Sequence, residues 1–226
     1  MADADLESVR ISVDTKAVIN VGNSSRGGCS RCIHPVAAAD HDMSVKEKLV
    51  PGGILEMRSG SSFLFFTQSN KTSDFIVDGI ELWWKENKQR MATIKRLVMN
   101  MDNGPECSGH RSQFLRRLVD FADREKIEIR LIYYPPYHSK YNGIEHYWGG
   151  LERSWNGYLL TSVEEILMRA SQFVWRSAKT TTTLLKGVYE KGVKLIGKEK
   201  EDVEKRLLRS ENLPWWDITI KPRMVN

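Results

Sequence analysis

The sequence predicts an α/β fold in which helices flank a mixed central β-sheet. Segments with strand periodicity come first, and helical segments then alternate with further strands, which is typical of this fold class. The chain has 226 residues, of which 41% are hydrophobic, and this length is enough to bury a sizeable core. The same composition excludes a disordered chain and a collagen-like repeat.

The first strands are predicted in the N-terminal third of the chain. Residues 9–21 alternate apolar and polar side chains around Asp14, which indicates a strand followed by a second one after a tight connection. Residues 22–62 are rich in Gly, Ser and short polar clusters and are predicted to be mostly loop with short strands. Residues 61–67 form a short apolar run, which predicts a buried strand.

Helices and strands alternate in the middle of the chain. Residues 72–90 have apolar side chains at helical spacing and open with a good N-cap, and residues 109–126 place apolar side chains on one helical face. Two further helices are predicted over about 142–156 and 162–178. Two strands are predicted between these helices, at 95–102 and 128–134.

The predicted domain organisation is one α/β core with a C-terminal extension. Residues 1–8 are predicted to be a tail, residues 9–178 the core, and residues 179–226 a basic extension that is helical or irregular. The extension differs from the core because residues 179–209 hold nine Lys or Arg against five Asp or Glu, which favours a solvated basic helix or arm.

Charge and cysteine content limit the classes of partner. There are 34 Lys and Arg against 29 Asp and Glu, a formal net charge of +5 with a pI near 9.0, which permits a polyanionic partner. No apolar run approaches the roughly 18 residues of a membrane span, and the acidic N-terminus lacks the apolar segment of an export signal. We therefore expect no membrane partner.

Three cysteines argue against a disulfide framework and for a reducing compartment.

Three acidic side chains are the candidate catalytic and metal-binding residues. Asp14 and Asp102 lie in or at the end of two predicted strands, and Glu145 lies one turn into a predicted helix. Adjacent strands in mid-sheet would bring the two aspartates together at one edge, and a helix across that edge could add the glutamate. Like charges at one site raise each other's pKa, and a divalent cation removes that cost. Carboxylate oxygens suit Mg²⁺, and two such ions can promote displacement at a phosphate.

Each acid also has a structural interpretation. Asp14 and Asp102 stand in or beside sequences that form turns. Asn142 and Glu145 fit a helix N-cap followed by an acid at the third helical position, a capping box, which is compatible with metal binding. Glu152, seven residues further along the same helix, is the rival third acid. We prefer Glu145 because it lies at the helix start, nearest the expected strand ends.

A resemblance to a known family links these acids. The Asp102-Asn-Gly-Pro-Glu segment and the Asn-x-Ile-Glu-x-x-Trp element that ends at Trp148 resemble DDE transposases, whose catalytic domain is RNase H-like, as in retroviral integrases. The resemblance to the Rhodopirellula-type transposase family in particular is carried by residues 11–16, 69–84 and 152–156.

This resemblance implies a site and a reaction. Asp14, Asp102 and Glu145 would hold two Mg²⁺ ions, for which Mn²⁺ could substitute, and the chain would cleave DNA with metal-activated water. The freed 3′-hydroxyl would then attack target DNA during transposition of an insertion sequence. The implied partners are double-stranded DNA, as element ends and as target, and further copies of the chain in a homo-oligomer. The implied location is the bacterial cytoplasm, with the nucleoid.

Two departures from the family pattern change these expectations. Gly143 stands where these enzymes commonly have proline, which predicts a less rigid start for the helix that carries Glu145. Only about eight residues precede the first predicted strand, whereas such transposases usually carry a helical DNA-reading region there. We therefore expect a truncated transposase, or one whose DNA ends are recognised by other means.

Several basic residues are candidates for DNA binding because they lie in or beside predicted loops near the acidic edge. Contacts of this kind bind phosphates without reading sequence and weaken with salt, although basic surface residues commonly have no specific role. The candidates are Arg26, Arg31, Arg111, His138 and Lys140.

Two other sequence features have structural interpretations that we prefer. Cys29 and Cys32, with His34 and His41, could suggest zinc, but their spacing matches none of the common zinc-finger spacings, so no zinc is expected. A helical stripe that includes Trp148 is interpreted as core packing rather than as a base-stacking surface.

Two alternative functions share the predicted fold. A hydrolytic nuclease would cut DNA or RNA without joining strands. A non-catalytic, transposase-derived remnant would only bind DNA, and carboxylates too far apart to share metal ions would favour it.

Overall fold

The computed structural model describes residues 5–25, 38–39, 47–135 and 142–223. The strands in this part of the chain are β1 (Ser8–Thr15), β2 (Ile19–Val21), β3 (Glu47–Glu56), β4 (Ser62–Thr67), β5 (Arg96–Met101), β6 (Glu128–Tyr133), β7 (Val174–Trp175), β8 (Ala178–Leu184), β9 (Leu207–Arg209) and β10 (Asp217–Ile220). The helices are α1 (Ser73–Glu86), α2 (Ser112–Glu125), α3 (Gly143–Ser154), α4 (Val163–Gln172) and α5 (Gly197–Glu204).

The strands form one mixed sheet in the order β7-β8-β4-β3-β1-β5-β6-β10-β9, with β2 paired to β3. β1, β5 and β6 run parallel. β3 is antiparallel to both β1 and β4, and β8 is parallel to β4. Consequently β1, β4, β5, β6 and β8 all end at the same side of the sheet, which we call the carboxyl edge.

Two hydrophobic cores hold the helices to the sheet, one on each face. α1 and α2 pack on one face together with α5, and α3 and α4 pack on the other. Strand alternation explains how the apolar run in β4 serves both cores: Phe63 and Phe65 belong to the first core, and Leu64 and Phe66 to the second. The α/β class and the mixed sheet flanked by helices are confirmed.

Most predicted elements are present, and the largest difference is β3. Its ten residues lie in the segment predicted to be mostly loop. The prediction failed because Pro51, Gly52 and Gly53 are poor strand formers in isolation, whereas the folded sheet supplies pairing partners for β3 on both sides. Neighbouring strands therefore decide the conformation of this segment.

The second difference concerns the end of α4, which the sequence predicted to extend to 178. The helix ends at Gln172, and the chain turns back through the β7–β8 hairpin. Arg176 and Ser177 both have positive φ, at 47° and 68°, as required by the tight turns that join two strands. The chain can then continue as β8, whose consecutive threonines favour a strand.

The segment after residue 178 is integrated with the sheet. β8 pairs with β4, β10 pairs with β6, and β9 extends the sheet beyond β10. The helix expected in this basic segment is α5, which packs on the face of α2. The boundary predicted at residue 178 thus coincides with the first residue of a strand of the sheet, and the separate domains remain a prediction.

A phenylalanine ring fills the space between β3 and α1. Phe65 is fully buried, and a Cβ atom added to Gly52 or Gly79 would lie only 2.3 or 2.4 Å from Cε2 of its ring. Glycine at these two positions is therefore what allows the strand and the helix to contact the ring from two sides.

We predict that Gly79→Ala lowers the free energy of unfolding by about 1–3 kcal/mol, because the added methyl group clashes with the ring of Phe65. The loss should exceed the roughly 0.5–1 kcal/mol that alanine contributes to a helix. The matched control is Gly149→Ala in α3, where nothing lies within 4 Å of the added atom and stability should rise. Urea unfolding of both variants measures the difference, and equal changes would contradict this account of the packing.

Candidate active site

Asp14 and Asp102 lie side by side at the carboxyl edge. β1 and β5 are parallel neighbours, and their register pairs Val13 with Met101. Asp14 and Asp102 each follow one of these paired residues, so the structure brings the two predicted aspartates to the ends of adjacent strands. Both residues are partly exposed.

The start of α3 is attached to β1 by Ser12. The Ser12 hydroxyl accepts a hydrogen bond from the backbone N–H of Ile144 at 3.1 Å and donates one to Oδ1 of Asn142. Asn142 is the N-cap residue, but its side chain makes no capping hydrogen bond to the helix. The expected capping box is therefore wrong, because Ser12 from another element accepts the hydrogen bond that a capping side chain would accept.

Trp148 connects α3 directly to Asp14. Its indole Nε1–H donates to Oδ2 of Asp14 at 3.0 Å, and the side chain is 4% exposed. The helix can come this close because Gly53, the β3 partner of Asp14, leaves space: a Cβ there would lie 2.7 Å from the Trp148 ring and 2.9 Å from Ile144. Trp148 thus belongs to the core, as predicted, and is also part of the site, which the sequence analysis missed.

The charges of the two other candidate acids act on Asp14. Burial first, and then the negative charges of Asp102 and Glu145, together raise the pKa of Asp14 from 3.8 to about 6. Hydrogen bonds from the backbone of Thr15 and from Trp148 oppose this rise. The charge of Glu145 in α3 therefore acts on Asp14.

The rival acid Glu152 has a different partner. Its carboxylate pairs with Lys16 at 3.4 Å. The choice of Glu145 over Glu152 as the third acid remains a prediction.

The loop after β5 contacts Asp102 through the side chain of Cys107. The thiol of Cys107, 5% exposed, lies 3.5 Å from Oδ1 of Asp102 and 3.6 Å from its carbonyl oxygen. Burial and the charge of Asp102 raise the pKa of this thiol well above its ordinary value, so Cys107 stays protonated and can donate. Tyr133 fixes the loop by donating from its hydroxyl to the Cys107 carbonyl at 2.7 Å. The sequence analysis did not identify this role, although a cysteine five residues after Asp102 was available as a signal.

The described residues contain no group of three or more His, Cys, Asp or Glu side chains that could already hold a metal ion. The donor chemistry nevertheless suits Mg²⁺, which commonly takes only one or two protein carboxylates and keeps its remaining water ligands. The mutual repulsion at Asp14 is also the kind that a cation relieves.

The predicted basic residues are mostly outside the described part of the chain. Arg111 is described, and its guanidinium donates to the carbonyl of Val193 at 3.0 Å and lies 3.4 Å from the Ser73 hydroxyl. These contacts attach the start of α2 to the segment after β8 and to the start of α1. The residues outside the described ranges are Arg26, Arg31, His138 and Lys140, together with Cys29, Cys32, His34 and His41.

The sheet order, the flanking helices and the acids at the carboxyl edge define an RNase H-like domain of the DDE type. The chain belongs to the family described as the Rhodopirellula transposase DDE domain, which matches residues 2–222. A role in transposition and in DNA binding follows from this membership. Comparison with curated proteins finds no match. In the described ranges, no helix is both long enough and apolar enough to cross a membrane.

We predict that Asp14→Asn stabilises the protein at pH 7.5 in the presence of EDTA. A carboxyl whose pKa rises from 3.8 to about 6 on folding takes up protons on folding between these values. Ionisation of Asp14 therefore lowers the free energy of unfolding. The full effect is present above about pH 6, and it disappears below about pH 4. Removing the charge should raise the free energy of unfolding by about 1–3 kcal/mol at pH 7.5, with a smaller gain at pH 5.

Urea unfolding at both pH values checks this prediction. The control is Asp123→Asn, because hydrogen bonds from Arg206 lower the pKa of Asp123, so loss of that charge should destabilise the protein at pH 7.5. A loss of stability in Asp14→Asn that does not depend on pH would count against the electrostatic description of Asp14.

We predict that Ser12→Ala lowers the free energy of unfolding by about 1–2 kcal/mol, because the buried N–H of Ile144 loses its acceptor. The control is Ser171→Ala, whose hydroxyl donates only to a carbonyl of its own helix and whose loss should change stability by less than about 0.5 kcal/mol. If both variants unfold at the same urea concentration, Ser12 does not hold the start of α3.

Proposed function

We propose that this chain is the catalytic domain of an insertion-sequence transposase that cleaves DNA and transfers the cut strand, with Asp14, Asp102 and Glu145 as its catalytic acids. The observation that carries this proposal is the electrostatic coupling of the three side chains: Asp102 and Glu145 both raise the pKa of Asp14 at the carboxyl edge. Such convergence of like charges has a cost in stability, and it is typical of functional sites.

The same three carboxylates would hold the divalent ions, Mg²⁺ or Mn²⁺, that the family membership suggests. When bound, two such ions supply activation of the attacking hydroxyl and stabilisation of the leaving oxygen at a phosphate. The hard oxygen donors of the three acids support this choice of metal over one that prefers thiolate ligands.

The surrounding residues would position the acids. Trp148 donates to Oδ2 of Asp14 and so orients its carboxylate. Ser12 fixes the first turn of α3, and thereby the backbone of Glu145, against β1. Cys107 supports Asp102 from the loop below. These contacts come from three separate elements, so the acids are oriented by the packed fold and not by the strand ends alone.

The proposed substrates are double-stranded DNA at the element ends and at the target. We also propose that the active complex contains more than one copy of the chain, since two ends must be brought together, and that it acts at the bacterial nucleoid. These proposals rest on family membership, which implies DNA as a partner.

A DNA-binding remnant is the second candidate. It is favoured by one observation: within the described residues, no three potential ligands already form a group able to hold a metal. The remnant and the transposase differ in a measurable way, because only the transposase cuts and joins DNA.

We predict that Asp14→Asn, Asp102→Asn and Glu145→Gln each reduce DNA cleavage and joining to the level seen without enzyme, because each removes a charged ligand. The substrates are duplexes that carry the flanking element ends, both uncut and precleaved, assayed with Mg²⁺, with Mn²⁺ and with EDTA. Glu152→Gln is the matched control, since it removes a carboxylate of the same helix that pairs with Lys16, and it should retain activity.

The pattern of products separates the candidates. Cleavage without joining of the precleaved end would identify a nuclease, and no metal-dependent product from the wild-type chain would identify the remnant. Full activity in any one of the three variants would remove that residue from the proposed site.

A further inference from the structure

The segment that follows β8 crosses the carboxyl edge of the sheet. Because β8 is parallel to β4, its end lies at the same edge as the ends of β1 and β5, where the acids are. We call residues 185–196 the lysine strap, since they contain Lys186, Lys191 and Lys194.

The strap is attached to the fold at its middle by Tyr189, which is 5% exposed. Its backbone N–H donates to the Ser69 hydroxyl at 2.8 Å, and its carbonyl accepts from Nδ2 of Asn70 at 2.9 Å. Its phenolic hydroxyl donates to Asp78 at 2.9 Å, and its ring packs edge-on against Phe75, with the ring centroids 5.5 Å apart. Both the backbone and the side chain of the strap are thus fixed at this point.

Further contacts attach the two ends of the strap. The N–H of Leu185 donates to the carbonyl of Phe66 at 2.8 Å, and the N–H of Leu195 donates to the Ser112 hydroxyl at 3.1 Å. The carbonyl of Val193 accepts from Arg111, the residue that ends the loop beginning at Asp102. The strap is therefore joined to the same loop that carries one of the catalytic acids.

The three lysines have no such attachments. All three are exposed, and no hydrogen bond or ion pair in the described ranges involves their ammonium groups. Many arginines of the domain are in contrast neutralised by neighbouring carboxylates. Examples are the pairs Arg117–Asp74, Arg124–Glu81, Arg130–Asp217 and Arg206–Asp123.

The strap therefore carries three unpaired positive charges within nine residues of chain. Its three lysines stand with a single acid, Glu190, in a chain whose net charge is only +5. A fixed backbone that presents flexible, unpaired ammonium groups is well suited to contact a polyanion whose charges repeat along a line, because each lysine can reach a separate phosphate without rearrangement of the fold.

We propose that the lysine strap is a binding surface for the phosphate backbone of DNA and holds the duplex against the carboxyl edge on the side of α1 and α2. The inference rests on the proposed function in one respect, the choice of DNA as the polyanion. The contacts would be independent of sequence and would depend on salt, because each one releases counterions from the DNA.

The test measures binding of a fluorescently labelled DNA duplex of arbitrary sequence to the 226-residue chain. Fluorescence anisotropy is recorded over a series of NaCl concentrations in EDTA, so that no cleavage is required. The combined variant Lys186→Gln, Lys191→Gln and Lys194→Gln should bind about tenfold or more weakly. The slope of log K against log salt should become less steep by about 2 to 3.

Two control variants separate the strap from a general charge effect. Lys85→Gln, Lys95→Gln and Lys126→Gln remove the same charge from exposed positions at the opposite edge of the sheet, where α1 and α2 end and β5 and β6 begin. This variant should keep the wild-type slope. Replacement of the three strap lysines by arginine keeps the charge and should keep the affinity, which would show that the glutamine variant did not lose binding through unfolding.

Each outcome decides the inference separately from the proposed function. Equal losses in the strap and opposite-edge variants, unchanged binding in the strap variant, or no binding by the wild-type chain would overturn the role of the strap. Strap-dependent binding by a wild-type chain that does not cleave DNA would support the strap while the proposed function fails. DNA cleavage by the wild-type chain, together with unchanged DNA binding by the strap variant, would support the proposed function and overturn the role of the strap.

Discussion

The close approach of α3 to the end of β1 is the constraint on which the candidate site depends. Two hydrogen bonds maintain it: the backbone N–H of Ile144, in the first turn of the helix, donates to the Ser12 hydroxyl, and the Trp148 indole donates to Asp14. Gly53 allows it, because a side chain there would clash with Trp148 and Ile144. Since Glu145 lies in the same first turn, the position of its backbone follows from how the helix rests on the strand.

The clustering of the three acids lowers the stability of the folded protein, although the proposed function needs it. Asp14 is partly buried beside two other acids, and its raised pKa shows that its charge is unfavourable in the folded protein without a cation. The hydrophobic cores on the two faces of the sheet supply the free energy that keeps the acids together. The indole of Trp148 donates to Asp14 and reduces this cost without neutralising the charge.

The comparison between sequence and structure shows where local patterns are sufficient. The helices α1 and α2 and the strands β1, β4, β5 and β6 were predictable because each has an apolar period that matches its own geometry. β3 was not, because its proline and glycines oppose strand formation and only its two neighbours in the sheet determine its conformation. The supposed capping role of the Asn142 side chain failed for a related reason, since Ser12, distant in sequence, took the position of the capping group.

The sequence by itself determined the α/β class, the order of the main elements and the three candidate acids, since periodicity and motif spacing are local properties of the chain. Only the tertiary structure showed that the charge of Glu145 acts on Asp14 and that Glu152 pairs with Lys16. It also showed that residues after 178 supply strands to the sheet. Within the described ranges, the strap lysines have no ion-pair partner, whereas many arginines do. The physical reason is that pairing, charge compensation and pKa depend on distances between residues far apart in the chain, and packing alone sets those distances.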